Sequence, residues 1–202
     1  MKRIRLTREE SRDQTRERLI EAARTMFIKK GFVATSVEDI AAAAGYTRGA
    51  FYSNFGGKAD LLIELLRRDH ERMQADFQSI MEEGGTRKEM ETRAVEYYSR
   101  LFRNEESFPI WVEAKLLASR DAKFRVRFNA FRNEKLDQIA AYIRAFSARV
   151  GTPLPLPAQT LALGLVSLCD GVQFFRMCDP QQVTEEVTET VLAGFFSRVI
   201  LG

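Results

Sequence analysis

The stretch TSVEDIAAAAGYTRGAFYSNF, from Thr35 to Phe55, contains two short helical segments separated by a glycine. Thr35 followed by Glu38 is a capping-box pattern, in which a hydroxyl and a carboxylate satisfy the first free amides of a helix. We therefore expect the first helix to begin at this point. Gly45 adopts the left-handed backbone conformation without steric cost, which predicts that the first helix ends there.

The second segment has one apolar face and one polar face. Thr47 is placed to cap it, and the apolar face carries Ala50, Phe51 and Phe55. The outward face carries Arg48, Gly49, Tyr52, Ser53 and Asn54. A helix that reads DNA contacts base edges with its N-terminal residues and phosphates around them. Arg48 is placed to bond a guanine edge, Gly49 leaves room for the duplex, and Lys58 is placed to meet a phosphate.

These residues resemble the N-terminal motif of the TetR family of transcriptional regulators. The resemblance covers about the first sixty residues and rests on Thr35-Ser36, Ile40-Ala41, Gly45, Arg48-Gly49, Phe51-Tyr52 and Phe55-x-x-Lys58-x-x-Leu61. It implies phosphate contacts for Thr35, Thr47, Tyr52 and Lys58, and it places Arg48, Gly49 and Ser53 near bases. Asn54 departs from the family pattern, which commonly has His before the final Phe, although an Asn also donates to DNA.

The resemblance implies an all-α protein of about nine helices. Residues 1–57 are expected to form a three-helix helix-turn-helix DNA-binding domain, and residues 58–202 a helical effector-binding and dimerisation domain. The alternative is a helical hairpin in some other bundle, with Arg48 and Tyr52 simply solvated. Before the hairpin, Leu19, Ala22, Ala23, Met26 and Phe27 recur at helical spacing and predict a first helix that ends at Gly31.

Charge is unevenly distributed along the chain. The net charge is +3 overall, but residues 1–60 carry 12 Lys and Arg against 8 Asp and Glu. A basic excess at the proposed DNA-binding end agrees with phosphate binding. The charged first 18 residues are interpreted either as an arm that reaches DNA or as a solvated tail.

The compartment is predicted from the cysteines and from the apolar stretches. Cys169 and Cys178 point to different sides of a helix, so an intrachain disulfide is not expected and a reducing cytoplasm is favoured. Gln159, Asp170, Gln173 and Arg176 interrupt the best candidate for a membrane span, so no membrane association is expected.

A long helix from Lys58 to about Met81 is predicted to connect the DNA-binding end to the remaining chain. His70, the only histidine, shares its apolar line and is read as either a packing residue or a ligand contact. Aromatic residues that follow are read as ordinary core or, by the resemblance, as the wall of a cavity for a small apolar or aromatic effector. The candidate pocket residues are His70, Met73, Phe77, Tyr98, Phe102, Trp111, Phe128, Phe131 and Phe174.

Two C-terminal helices are predicted to pair two copies of the chain. The first, from about Ala158 to Met177, is apolar on nearly every side and so needs neighbours on every side. The second is expected to start at Pro180, after the cap Asp179. A homodimer is the prediction, and a purely intrachain core is the alternative. The candidate interface residues are Gly164, Ser167, Gly171, Phe175, Val191, Phe195 and Val199.

The residue inventory offers little for catalysis. One histidine excludes most Ser/His and Cys/His catalytic sets, and no metal-binding Cys or His cluster and no complete phosphate loop occurs, so no enzyme activity, metal or cofactor is expected. We expect a DNA-binding transcriptional regulator, a repressor that binds a pseudo-palindromic operator as a homodimer and that a small molecule releases. A helical small-molecule-binding protein with a vestigial DNA head, and an enzyme on this scaffold, are the rivals.

Overall fold

A computed structural model describes residues 7–83, 85–86, 88–89, 92–93, 96–97 and 107–195. Every regular element in these residues is a helix, which confirms the predicted all-α class. The eight helices are α1 Arg8–Ala34, α2 Val37–Ala43, α3 Arg48–Tyr52, α4 Lys58–Glu83, α5 Phe108–Arg120, α6 Ala122–Val150, α7 Ala158–Cys178 and α8 Glu185–Phe195. The count within the described residues is close to the nine that the sequence predicts.

The chain forms two compact units, and each of them consists of two separate segments of the sequence. The first unit comprises residues 1–69 and 106–128, and the second comprises residues 70–105 and 129–202. Helices α4 and α6 have residues in both units. The boundary predicted between residues 57 and 58 divides the chain by function, and it stays a prediction.

The first unit is built on the buried face of α1. Leu19, Ile20, Ala23 and Phe27 are buried at helical spacing, and Ile40, Phe51 and Phe55 are buried in the segment that follows. Gly31 interrupts α1 with φ 79° and ψ 162°, a conformation that a side chain would strain. Regular helix therefore stops where the sequence predicts, although the next residues turn once more before α2.

A charged cluster ties α1 to the neighbouring helices of the first unit. The Arg24 guanidinium forms a two-pronged ion pair with Asp69 on α4, and its Nη1 also donates to Ser107 Oγ at 3.0 Å, directly before α5. The side chains of Arg24 and Asp69 are largely buried. Separating Arg24 from Asp69 would leave a charge buried without its partner, which is costly. The pair therefore fixes the position of α1 relative to α4.

The second unit has its core where α6 meets α7. Its buried members are Ala140, Ile143, Ala158, Leu161, Ala162 and Leu165, and Phe195 of α8 packs against them. Residues 151–157, between α6 and α7, contain no helix. Cys169 and Cys178 are both free, and burial raises the pKa of the Cys169 thiol to about 12.

The predicted start of the last helix is wrong. The last helix starts at Glu185 and not at Pro180, because Asp179 caps a turn through Gln182 N at 3.1 Å and Thr184 caps the helix through Val187 N at 3.3 Å. Helix α7 is long and apolar enough to cross a membrane by length and composition, despite its internal charges. Only 17% of its most apolar window is buried, and the large apolar side chains Leu163, Phe174, Phe175 and Met177 of α7 are exposed.

Candidate nucleic-acid interface

The start of α2 is capped one residue later than the sequence pattern suggests. Asp39 N donates to Ser36 Oγ at 3.0 Å, and Ser36 N donates to Asp39 Oδ2 at 3.0 Å. Hydrogen bonds with the backbone and side chain of Ser36, and then with Lys30, lower the pKa of Asp39. The expected pair of Thr35 and Glu38 is therefore wrong as a capping box, because the neighbouring pair at the same spacing takes that role.

Thr35 lies inside the fold and not on its surface. Its side chain is buried, and its Oγ1 lies 2.7 Å from the Gly31 carbonyl oxygen and 3.2 Å from that of Met26. The hydroxyl thus closes the end of α1 in this structure. Ser36, which is exposed, is the hydroxyl at the surface next to α2.

The turn between α2 and α3 follows the sequence prediction. Gly45 has φ 76°, in the left-handed region, and Tyr46 N donates to the Ala41 carbonyl at 2.8 Å. Thr47 then caps α3 by accepting the Ala50 amide at 3.2 Å. Hydrogen bonds within the turn and at the cap thus fix the connection between α2 and α3.

The outward face of α3 presents Arg48, Gly49, Tyr52 and Ser53, all of them exposed. The Arg48 guanidinium lies 2.9 Å from Glu38 Oε1 on α2 and 5.4 Å from the centroid of the Tyr52 ring. Both members of this ion pair are more than half exposed, so it contributes little to stability. In the free protein Arg48 is therefore paired with Glu38, and breaking this pair costs little free energy.

Gly49 has no steric reason to be glycine within the chain. A Cβ placed on it would meet only Thr47 Oγ1 at 3.7 Å, which is an ordinary contact, and its φ is not positive. Glycine is a poor helix former, so its presence in a five-residue helix costs stability. The open side of Gly49 faces outward, which agrees with a close approach by another molecule.

Asn54 is turned inward in this structure, in contrast to its expected role. Its Nδ2 donates to the Ala50 carbonyl at 2.8 Å, and its own backbone carbonyl accepts Arg16 Nη1 at 2.7 Å. The Arg16 guanidinium also lies 4.4 Å from the centroid of the Phe55 ring. Arg16, which the sequence placed among the charges of an arm or tail, therefore holds the end of α3 against α1.

Lys58 also has an internal role. Its Nζ lies 2.5 Å from the Phe32 carbonyl oxygen, 3.3 Å from that of Val33 and 2.6 Å from that of Thr35, and 4.3 Å from the Phe32 ring centroid. Burial lowers the pKa of Lys58, and the negative charge of Glu113 acts in the opposite direction. The ammonium caps the C-terminal end of α1, so in this structure it is not available to a phosphate.

The candidate effector residues fall in different places. In the second unit, His70 is buried, lies 2.7 Å from Gln138 Oε1 and meets the Phe131 ring edge-on at 5.9 Å, and Met73 is half-buried. Phe174 is 45% exposed. Trp111 and Phe128 belong to the first unit. The backbone of Phe77 lies in α4, whereas the Phe77 side chain and all of Tyr98 and Phe102 lie outside the described residues.

The candidate dimer residues divide into two groups. Gly164 faces Phe195 of the same chain, since a Cβ on Gly164 would lie 3.7 Å from Phe195 Cζ. Phe175, Val191 and Ser167 are exposed, and Gly171 has open space beside it. Val199 lies outside the described residues. Of the small residues on α7, Gly164 therefore contacts Phe195 of the same chain, whereas Ser167 is exposed and Gly171 has open space beside it.

Replacing Lys58 with Met should destabilise the fold by about 1–3 kcal/mol, because three carbonyls lose their donor and the Phe32 ring loses the cation beside it. Urea denaturation followed by circular dichroism measures this change. The exposed Lys29, replaced by Met, is the control and should shift the free energy of unfolding by less than about 0.5 kcal/mol. Equal midpoints for the two variants would contradict the capping role.

Comparisons with known proteins agree with this geometry. The family model described as bacterial regulatory proteins, tetR family, matches residues 19–65. The transcriptional regulator TtgR of Pseudomonas putida is 47% identical over 68 residues, which are 34% of this chain and only 32% of TtgR. The transcriptional repressor AcnR of Corynebacterium glutamicum is 26% identical over 188 residues, which are 93% of this chain and 83% of AcnR.

The fold is also that of solved regulators. The crystal structure of a transcriptional regulator from Saccharomonospora viridis in complex with choline matches with a TM-score of 0.73 at 22% identity, over 92% of this chain and 97% of that chain. The likeness over nearly the whole chain shows the fold, and the family model matches the residues that contain α2 and α3. The N-terminal segment with its helix-turn-helix is thus similar to the tetR family of bacterial regulatory proteins, whose model matches residues 19–65.

Proposed function

We propose that this protein is a DNA-binding transcriptional repressor that acts as a homodimer and that a small molecule releases from DNA. The observation that carries the proposal is the outward face of α3, where Arg48, Gly49, Tyr52 and Ser53 are exposed on a helix fixed by its own cap. An arginine at the start of such a helix bonds the O6 and N7 of guanine, and tyrosine and hydroxyl groups bond phosphates.

The dimer is supported by the apolar surface of α7 and α8. Exposed large side chains in this surface are Leu163, Phe174, Phe175, Met177, Val187 and Val191. Several large exposed apolar side chains on two helices that contact each other are typical of an interface. Two copies joined there would present two reading helices to successive major grooves about 34–36 Å apart, which requires an inverted-repeat site.

Release by an effector is supported by aromatic chemistry in the second unit. His70 and Phe131 meet edge-on, and this pair offers a polar group beside an apolar ring. The regulator from Saccharomonospora viridis was solved in complex with choline, and small molecules with apolar or aromatic surface suit such a site. A ligand that binds better to a conformation with a different spacing of the reading helices lowers DNA affinity by that difference in binding free energy.

The repressor mode is supported by the name of AcnR, which aligns with nearly all of this chain. A regulator of this kind works in the cytoplasm, where the DNA is, and needs no catalytic residues. We therefore propose a cytoplasmic location and no enzyme activity.

Replacing Arg48 with Ala should weaken binding to the preferred duplex by about 1–3 kcal/mol and relax base preference at one position in each half-site. Fluorescence anisotropy with a panel of single-base variants measures both effects. Arg132, which is exposed on α6 in the second unit, is the charge-matched control for substitution by Ala. The same loss of affinity in both variants would show that net charge, and not base reading, explains the binding.

Replacing Gly49 with Ala should raise the free energy of unfolding by up to about 1 kcal/mol, because alanine is the better helix former and its Cβ meets nothing closer than 3.7 Å. The same methyl group should weaken DNA binding, since it stands between the helix and the duplex. Thermal melting and anisotropy on the same preparation separate the two effects. A variant that is more stable and binds DNA normally would remove Gly49 from the interface.

Replacing Phe175 with Glu should convert the dimer to a monomer and reduce DNA affinity, because a charge would be buried in each half of the interface. Analytical ultracentrifugation measures the assembly. Val126, exposed on α6 in the first unit, is the matched control, and its replacement by Glu should leave the dimer intact. A wild-type monomer that floats with lipid vesicles would assign the apolar surface to a membrane instead.

A further inference from the structure

The short segment between the break in α1 and the start of α2 is held by side chains from two other helices. Gly31 leaves the helical conformation, which separates the Phe32 amide from the hydrogen-bond pattern of the preceding turn. Phe32 N instead donates to Glu113 Oε2 on α5 at 2.5 Å. A backbone amide near the core needs such a partner, and a carboxylate is a strong one.

Gly31 and Glu113 fit each other closely. A Cβ on Gly31 would lie 2.7 Å from Glu113 Oε1, nearer than carbon and oxygen atoms normally approach. The two carboxylate oxygens of Glu113 therefore lie against two successive residues of the break. This contact gives Gly31 a second reason to be glycine, in addition to its positive φ.

Lys58 holds the same segment through its carbonyl groups. The ammonium binds the carbonyls of Phe32, Val33 and Thr35, while the carboxylate of Glu113 binds the Phe32 amide. The carbonyl oxygens of this segment thus bind a cation, and the Phe32 amide binds an anion. We call Lys58, Glu113 and residues 31–35 the clasp.

The clasp leads directly into α2 and α3, which together we call the reading head. Ser36, the cap of α2, follows Thr35, and α2 and α3 are joined to each other by the Gly45 turn. A displacement of residues 32–35 would therefore carry α2 and α3 with it. We propose that Glu113 is a positioning residue for DNA binding, which fixes the reading head on α5 through the Phe32 amide. This inference rests on the proposed function.

The loss of Glu113 should displace the head without unfolding the unit. Arg24 holds α1 to Asp69 and Ser107 independently, about two turns before the clasp along α1. Phe27, Ile40 and Phe51 are buried apolar residues, whereas Glu113 is partly exposed, so its removal takes nothing from the hydrophobic core. The effect of Glu113 on DNA binding is therefore separable from an effect on folding.

The test compares Glu113→Ala with Glu113→Gln in the full chain, with Glu71→Ala, an exposed acidic residue on α4, as the control. Glutamine keeps an oxygen that accepts the Phe32 amide, whereas alanine does not. Affinity is measured for the preferred duplex and for a random duplex, and hydrogen exchange at the Phe32 amide is followed by NMR.

We expect Glu113→Ala to raise the exchange rate at Phe32 and to lower affinity for the preferred duplex, each by about tenfold, with affinity for random DNA changed less than about twofold. Glu113→Gln should recover most of both losses. Wild-type affinity in Glu113→Ala, an equal loss on both duplexes, or no recovery with Gln would overturn the inference. A wild-type protein without sequence preference would overturn the proposed function instead, and exchange at Phe32 would then decide whether Glu113 holds the segment.

Discussion

The reading head depends on how the chain leaves α1. At Gly31 the helix breaks, and the next peptide groups would be unsatisfied near the core without the Lys58 ammonium and the Glu113 carboxylate. An unpaired buried peptide group costs about 1–3 kcal/mol, so these two side chains decide whether α2 starts where it does. The caps and the turn of the helix-turn-helix are local, but their position in the unit is set by this contact.

The local features of the head were predictable from sequence because they depend on neighbours in the chain. Gly45 in the left-handed region, Thr47 as the cap of α3 and Phe51 in the core follow from patterns a few residues long. The capping box of α2 was misplaced because Thr35-x-x-Glu38 and Ser36-x-x-Asp39 satisfy the same pattern. The contacts with α1 decide between them, because the Thr35 hydroxyl bonds carbonyl oxygens of α1.

Lys58 and Glu113 have partners that are distant in sequence. Lys58 bonds carbonyls more than twenty positions earlier, and Glu113 bonds the Phe32 amide across 81 positions. Neither contact leaves a periodic signal in the sequence, so pattern alone does not predict it. Asn54 turns inward through a near neighbour, since its Nδ2 donates to the Ala50 carbonyl, while its own backbone carbonyl accepts from the distant Arg16.

We propose that two copies of the chain read one inverted repeat with the outward faces of α3. Selection of duplexes from a random-sequence pool by the purified full chain, followed by native mass spectrometry of the enriched complex, tests it most directly. We expect an inverted repeat whose half-sites lie one helical turn or a multiple of it apart, occupied by an even number of chains. Failure to enrich any sequence, or enrichment of a single half-site bound by one chain, would contradict it.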